Sequence, residues 1–114
     1  MLTMTSGGAE SESLAVITVE GKLVLGAVVN SLREQLDKLL QTSAQHIVID
    51  LSRVSYIDSA GIGALALAFF NAKNSGRSLK LASLQPKVME AIGMTRLDMV
   101  IPIVASAPKP QPNI

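Results

Sequence analysis

The 114-residue chain contains no cysteine and no tryptophan, and its aromatics are Tyr56, Phe69 and Phe70 alone. Without thiols it has no disulfide framework, no cysteine nucleophile and no thiolate metal site. Three rings make no stacking platform for bases, and a net charge of +1 makes no basic footprint for a phosphate backbone. Direct nucleic-acid binding is not expected. Long apolar runs are missing too: the longest, Ala60 to Phe70, has eleven residues, too few to span a bilayer. The first ten residues have neither a basic segment nor an apolar one and do not read as a signal peptide. The expectation is a cytoplasmic protein without membrane insertion.

What is present is aliphatic. Residues of the hydrophobic class make up 48% of the chain, against 17% charged. A single domain of this size buries about two thirds of its unfolded surface without staples. Its core must come from Leu, Val, Ile, Ala and Met.

Residues 1–12 are rich in Ser, Gly, Thr and Glu, a flexible segment in which only Leu2-Thr3-Met4 hints at an edge strand. Leu14 to Glu20 reads as a strand, Gly21 as a turn or bend, and Leu23 and Leu25 as a short extension. From Val24 the period changes. Leu25, Val28, Val29, Leu32, Leu36, Leu39 and Leu40 recur at helical spacing, which predicts an amphipathic helix ending near Thr42-Ser43. His46 to Leu51 is a nearly continuous apolar run, as in a strand covered on both faces. A loop anchored by Val54 and Ile57 follows it.

A second helix is predicted over Ser59 to Asn74, apolar nearly all round and so central, with Gly76 placed for a C-terminal cap. Ser78 to Ala82 alternates as a strand. Pro86 suits the first turn of a third helix, with Val88, Ala91 and Ile92 inward and Gly93 ending it. Met99 to Val104 is a last strand, and Pro102 assigns it to an edge. Strands alternating with helices give an α/β or α+β layer structure over residues 13–106. Residues 107–114, rich in proline, form an extended or disordered tail.

Ile57-Asp58-Ser59-Ala60-Gly61-Ile62-Gly63 joins a strand pattern to a helix pattern. The first turn of a helix has unpaired N–H groups and partial positive charge, so a hydroxyl there is suited to carry a phosphate. Gly61 and Gly63 add no bulk, which leaves room for another protein. The plainer interpretation is a cap, with Asp58 as N-cap and Ser59 as a first-turn residue. Nucleophilic catalysis is disfavoured, because Ser59 lacks the Gly-x-Ser-x-Gly context and His46 lies at the far end of a strand. Gly61-Ile62-Gly63 completes no nucleotide-binding fingerprint. His46 has no partner at metal-ligand spacing, and Asp50 alone does not make a magnesium site. No catalytic residue, metal or cofactor is assigned.

Element order and motif together resemble the STAS domain of anti-sigma factor antagonists over roughly residues 12–106. The matching segments are Gly21-Lys22-Leu23, His46 to Ser52, Val54 to Gly63, Gly76 before Leu79-Lys80-Leu81, and Ile92 to Leu97. The resemblance implies a mixed sheet of four or five strands packed against three or four helices. It implies a non-enzymatic regulator whose Ser59 is phosphorylated by an anti-sigma factor that is also a serine kinase. The unphosphorylated form binds that kinase and frees the sigma factor, and a serine phosphatase resets the cycle. Asp58, Ser59, Ala60, Gly61, Ile62 and Gly63 are the partner-binding residues it implies. Lys22 and Val24 stand where that family often has acids, and Ala60 replaces a second hydroxyl. Ala60 leaves Ser59 as the motif's single acceptor hydroxyl, whereas the missing acids at Lys22 and Val24 keep open a STAS module that does not switch, a scaffold or an accessory subunit of a lipid or anion transporter. Association into a weak homodimer also stays open.

Overall fold

The computed structural model describes residues 2–6 and 14–107. Five strands, β1 (Leu2–Ser6), β2 (Leu14–Leu23), β3 (His46–Ile57), β4 (Ser78–Ala82) and β5 (Ile103–Val104), form one sheet. Their spatial order is their order in the chain. β1 runs antiparallel to β2, and β2, β3, β4 and β5 run parallel to one another. The parallel strands are joined through α1 (Ala27–Leu39), α2 (Ser59–Asn74) and α3 (Pro86–Met94).

Three successive crossovers step across the sheet in one direction. Since such crossovers are right-handed, all three helices fall on the same face. Their buried residues accordingly share one core with the inward positions of the sheet, such as Ile17, Ile49 and Leu81, all fully buried. The other face holds a small cluster of Val16, Val48 and Ala82, against which Leu14, Val104 and Ala107 pack. Ile47, Val48 and Ile49 are therefore all buried, and the unbroken apolar run at the start of β3 follows from cover on both faces.

Several elements differ from the sequence expectation. The loop expected after Leu51 is strand: β3 continues to Ile57. Between the pairs Thr18↔Asp50 and Leu23↔Ile57, β2 advances five residues and β3 seven, so β3 carries two extra residues as bulges. Its inward residues there are Leu51, Val54 and Ile57, spaced by three rather than two. The first bulge is held locally, with Ser52 N donating to Asp50 Oδ1 at 2.9 Å and Gln85 Nε2 donating to Ser52 O at 2.8 Å. Opposite the bulges, Gly21 adopts φ +96° inside β2 instead of turning the chain.

Leu25 belongs neither to the strand nor to α1, and is exposed. α2 has the expected bounds and Gly76 follows it at φ +78°, but Leu67 and Phe70 are about half exposed. The helix is thus an outer layer with apolar residues on its solvent side. α3 runs through Gly93 to Met94, with Val88 and Ile92 buried and Ala91 only partly so. The last strand shrinks to Ile103–Val104, because Leu97–Met99 form a 3-10 helix and Pro102 has no N–H to donate. Pro102 still accepts from Leu81 N through its carbonyl, and β5 lies at the edge of the sheet. The proline-rich stretch from 108 onward, like residues 7–13, lies outside the described residues.

At the amino end of the parallel strands, Arg77 clamps two connections together. Its Nε donates to Ala44 O at 2.7 Å, Nη2 to Thr42 O at 2.6 Å and Nη1 to Ser75 Oγ at 3.2 Å. Replacing Arg77 with Ala should lower the unfolding free energy by about 1–3 kcal/mol, because two backbone carbonyls lose a charged donor. The readout is a lower urea midpoint with an unchanged slope.

Candidate functional site

β2 and β3 end side by side, with Leu23 paired to Ile57, so the loops leaving them are neighbours. Asp58 lies between these loops and binds both. Its Oδ1 accepts from Gly61 N at 2.9 Å, capping α2, and its Oδ2 accepts from Leu25 N at 3.1 Å. Its own N–H donates to Leu23 O at 3.3 Å, and its carbonyl accepts the first helical bond from Ile62 N at 2.9 Å. The extended backbone of Asp58 suits an N-cap.

Ser59 is the first helical residue and is exposed, with its hydroxyl outside the cap. Ser59 and Ala60 supply first-turn N–H groups that no carbonyl of the helix can reach. Ala60 and Ile62 are partly buried, Gly61 is buried and Gly63 is exposed. The motif therefore does not lie on one surface. Beside it, Tyr56, Ile57, Lys87, Glu90 and Ala91 line an open hollow of about 280 Å³ between the end of β3 and α3.

The remaining candidates lie elsewhere. His46 begins β3, twelve residues long, and its Nδ1 is 2.7 Å from Ser78 Oγ. It is separated from Ser59 by the length of that strand, roughly 35 Å at 3.3 Å per residue. Asp50 is engaged with Ser52 N. Among the described residues no three His, Asp or Glu side chains gather to hold a metal ion, and no helix is long and apolar enough to cross a membrane. Sequence reasoning missed Leu25 as a neighbour of the motif, since its spacing counted it into the α1 stripe. Gly26, at φ +131°, is the signal that separates it from the helix.

A family model of the STAS domain matches residues 9–108. The chain belongs to the STAS domain family. It is 37% identical over 76 residues to the anti-sigma-B factor antagonist of Bacillus subtilis (strain 168), covering 67% of this chain and 69% of that protein. Its structure resembles that of an anti-sigma-factor antagonist (STAS) domain protein from Planctomyces limnophilus. The TM-score is 0.77 at 21% identity, over 93% of this chain and 91% of that one. It also resembles the Bacillus cell fate determinant SpoIIAA in its phosphorylated form, with a TM-score of 0.70 at 16% identity over 96% and 93% of the two chains. The observed sheet and helices are the STAS α/β fold.

In this STAS domain the two glycines of the motif do different things. A Cβ on Gly61 would lie 2.1 Å from Leu23 O and 2.8 Å from Ile57 Cγ1. Gly61 thus lets the helix start sit on the ends of β2 and β3, and it faces inward rather than toward a visitor. A Cβ on Gly63 would meet nothing within 4 Å. Gly61→Ala should cost about 3 kcal/mol or more, because a backbone carbonyl has to move. Gly63→Ala should raise stability by up to about 1 kcal/mol through helix propensity. Urea titration of the two variants distinguishes these roles.

The Gly61 amide, and after it the Leu25 amide, hold the Asp58 carboxyl below the usual carboxylate range, with slight desolvation opposing them. A carboxyl with a lowered folded pKa stabilises the fold above its unfolded pKa, and that contribution disappears as pH falls through the folded value. Stability should therefore drop from about pH 4 downward. Asp58→Asn, which does not titrate, should be less stable than wild type at neutral pH and should converge on it in acid. Unfolding midpoints across that range are the measurement.

Proposed function

We propose that this STAS domain is an anti-sigma factor antagonist acting as a phosphorylation-controlled partner switch. Unphosphorylated, it binds an anti-sigma factor that is also a serine kinase, and the sigma factor is freed. Phosphorylation of Ser59 ends the binding, and a serine phosphatase restores it. The domain itself is a non-catalytic module. The observation that carries this reading is the exposed Ser59 hydroxyl at the first position of α2, outside a cap that Asp58 already completes. The identity with the Bacillus subtilis antagonist supports the antagonist role.

The physics of the site favours an effect on the interface over one on the fold. A phosphate on Ser59 adds about −1.5 to −2 charges at neutral pH. The helix end favours that charge by up to about 1 kcal/mol. Asp58 opposes it across water, where repulsion between exposed groups is weak. A partner that packs on Ser59 has to desolvate the dianion or bring its own charges beside it. A hundredfold loss of affinity requires only about 2.7 kcal/mol.

The protein isolated from its native cells should carry one phosphate on Ser59 in part of the population, visible by intact mass and fragment analysis. Ser59→Ala should abolish that phosphate and keep partner binding. Ser59→Glu should weaken binding at least tenfold with an unchanged circular-dichroism spectrum. A Ser59→Ala protein still phosphorylated to full stoichiometry would move the site elsewhere. Absence of phosphate under all growth conditions would favour the non-switching module.

A further inference from the structure

Leu25 is 78% exposed, although it is a leucine in a loop next to the core. A loose loop would fold such a side chain back onto apolar surface. Two features hold it out. The Leu25 N–H is bound to Asp58 Oδ2 at 3.1 Å, and Gly26 takes φ +131°, a conformation that side-chain-bearing residues rarely adopt. The carboxylate that caps α2 therefore also fixes the backbone carrying this exposed leucine to the residue that precedes Ser59.

We infer that Leu25 is the apolar anchor on which the kinase that modifies Ser59 docks. This rests on the phospho-switch reading above. A kinase that phosphorylates Ser59 has to close over its hydroxyl. A specific interface covers about 800 Å² on each partner, a disc of roughly 16 Å radius. Leu25, tied to the residue preceding Ser59, falls well inside any such disc centred on the hydroxyl. Burying it there gains apolar contact without the cost of ordering the loop, since the loop is already fixed. The partner surface facing Leu25 is accordingly an apolar pocket next to the kinase active site. Phe70, also apolar and 47% exposed, supplies the contrast. It lies eleven residues along α2 from Ser59, about 16 Å by helix rise, and so at or beyond the rim.

Wild-type, Leu25→Ala and Phe70→Ala proteins, at limiting concentration, would be incubated with ATP and a soluble extract of the native cells. Phosphate on Ser59 would be followed by mass spectrometry, with thermal melting to establish that each protein is folded. Leu25→Ala should be phosphorylated at least tenfold more slowly than wild type, and Phe70→Ala within twofold of it. If Leu25→Ala lowers the melting temperature, Leu25→Gln keeps the length of the side chain and should show the same loss of rate. A wild-type rate for the folded Leu25 variants would overturn the anchor and leave the switch standing. So would an equal slowing of Phe70→Ala. No phosphate on Ser59 of the wild type would overturn both.

Discussion

The carboxylate of Asp58 is the interaction on which the rest of the site depends. One oxygen holds the first turn of α2 and the other holds the loop after β2, so two segments far apart in sequence are fixed by one side chain. That arrangement is possible only because β2 and β3 end level with each other, Leu23 beside Ile57. They end level only because β3 absorbs two extra residues as bulges over the same stretch. Gly61 completes the dependence, since any side chain there would push the helix start off Leu23 O and away from the carboxylate. A strand irregularity, a missing side chain and a cap are thus three parts of one device.

Topology decides where such a device can act. In open parallel sheets, ligand crevices form where the strand order reverses and the helices separate to opposite faces. Here the order runs from β1 to β5 without a reversal, and the helices stay on one face. Among the described residues that order makes no switch-point crevice at the carboxyl ends of the strands. What those ends offer is a surface built from adjoining loops and a helix start, with a hydroxyl and an apolar side chain held outward. This is better suited to recognition by another macromolecule than to enclosing a small substrate. The same geometry accounts for the poor fit of nucleotide-binding motifs to Gly61-Ile62-Gly63.

Legibility in the sequence followed local chemistry. α2 was readable to its ends, because an Asp cap, an apolar run and a glycine at positive φ each leave a local mark. β4 and the proline-led start of α3 were readable for the same reason. The second half of β3 was not. Bulges replace the two-residue alternation of a strand with inward residues three apart, and Ser52, Arg53 and Ser55 between them look like a loop. Gly21 looked like a turn because its positive φ serves a long-range pairing that no local pattern records. Leu25 misled in the opposite direction. It has helical spacing to Val28, Val29 and Leu32, yet its amide is held by a carboxylate thirty-three residues later. Exposed Leu67 and Phe70 likewise sit in an apolar pattern that predicts burial, and only the single-face packing of the sheet leaves them outside. The Asp58-Ser59 pair was legible as a junction, whereas its role as a bridge between two loops was not.

The bridge also bears on how a phosphate would be read on the switch interpretation. Asp58 has already committed its oxygens to the Gly61 and Leu25 amides, and those bonds hold its carboxyl below the usual carboxylate range. A phosphate on Ser59 could recruit the other first-turn amides without displacing either bond, so the loop carrying Leu25 need not move. The apolar anchor and the new charge would then stand side by side, one favouring association and the other opposing it. A kinase docking on Leu25 would be released by its own product, because the group it transfers lands within the surface it used to bind. Release of that kind needs no change of shape in the domain. It needs only that the two groups share one rigid platform, and the Asp58 carboxylate provides it.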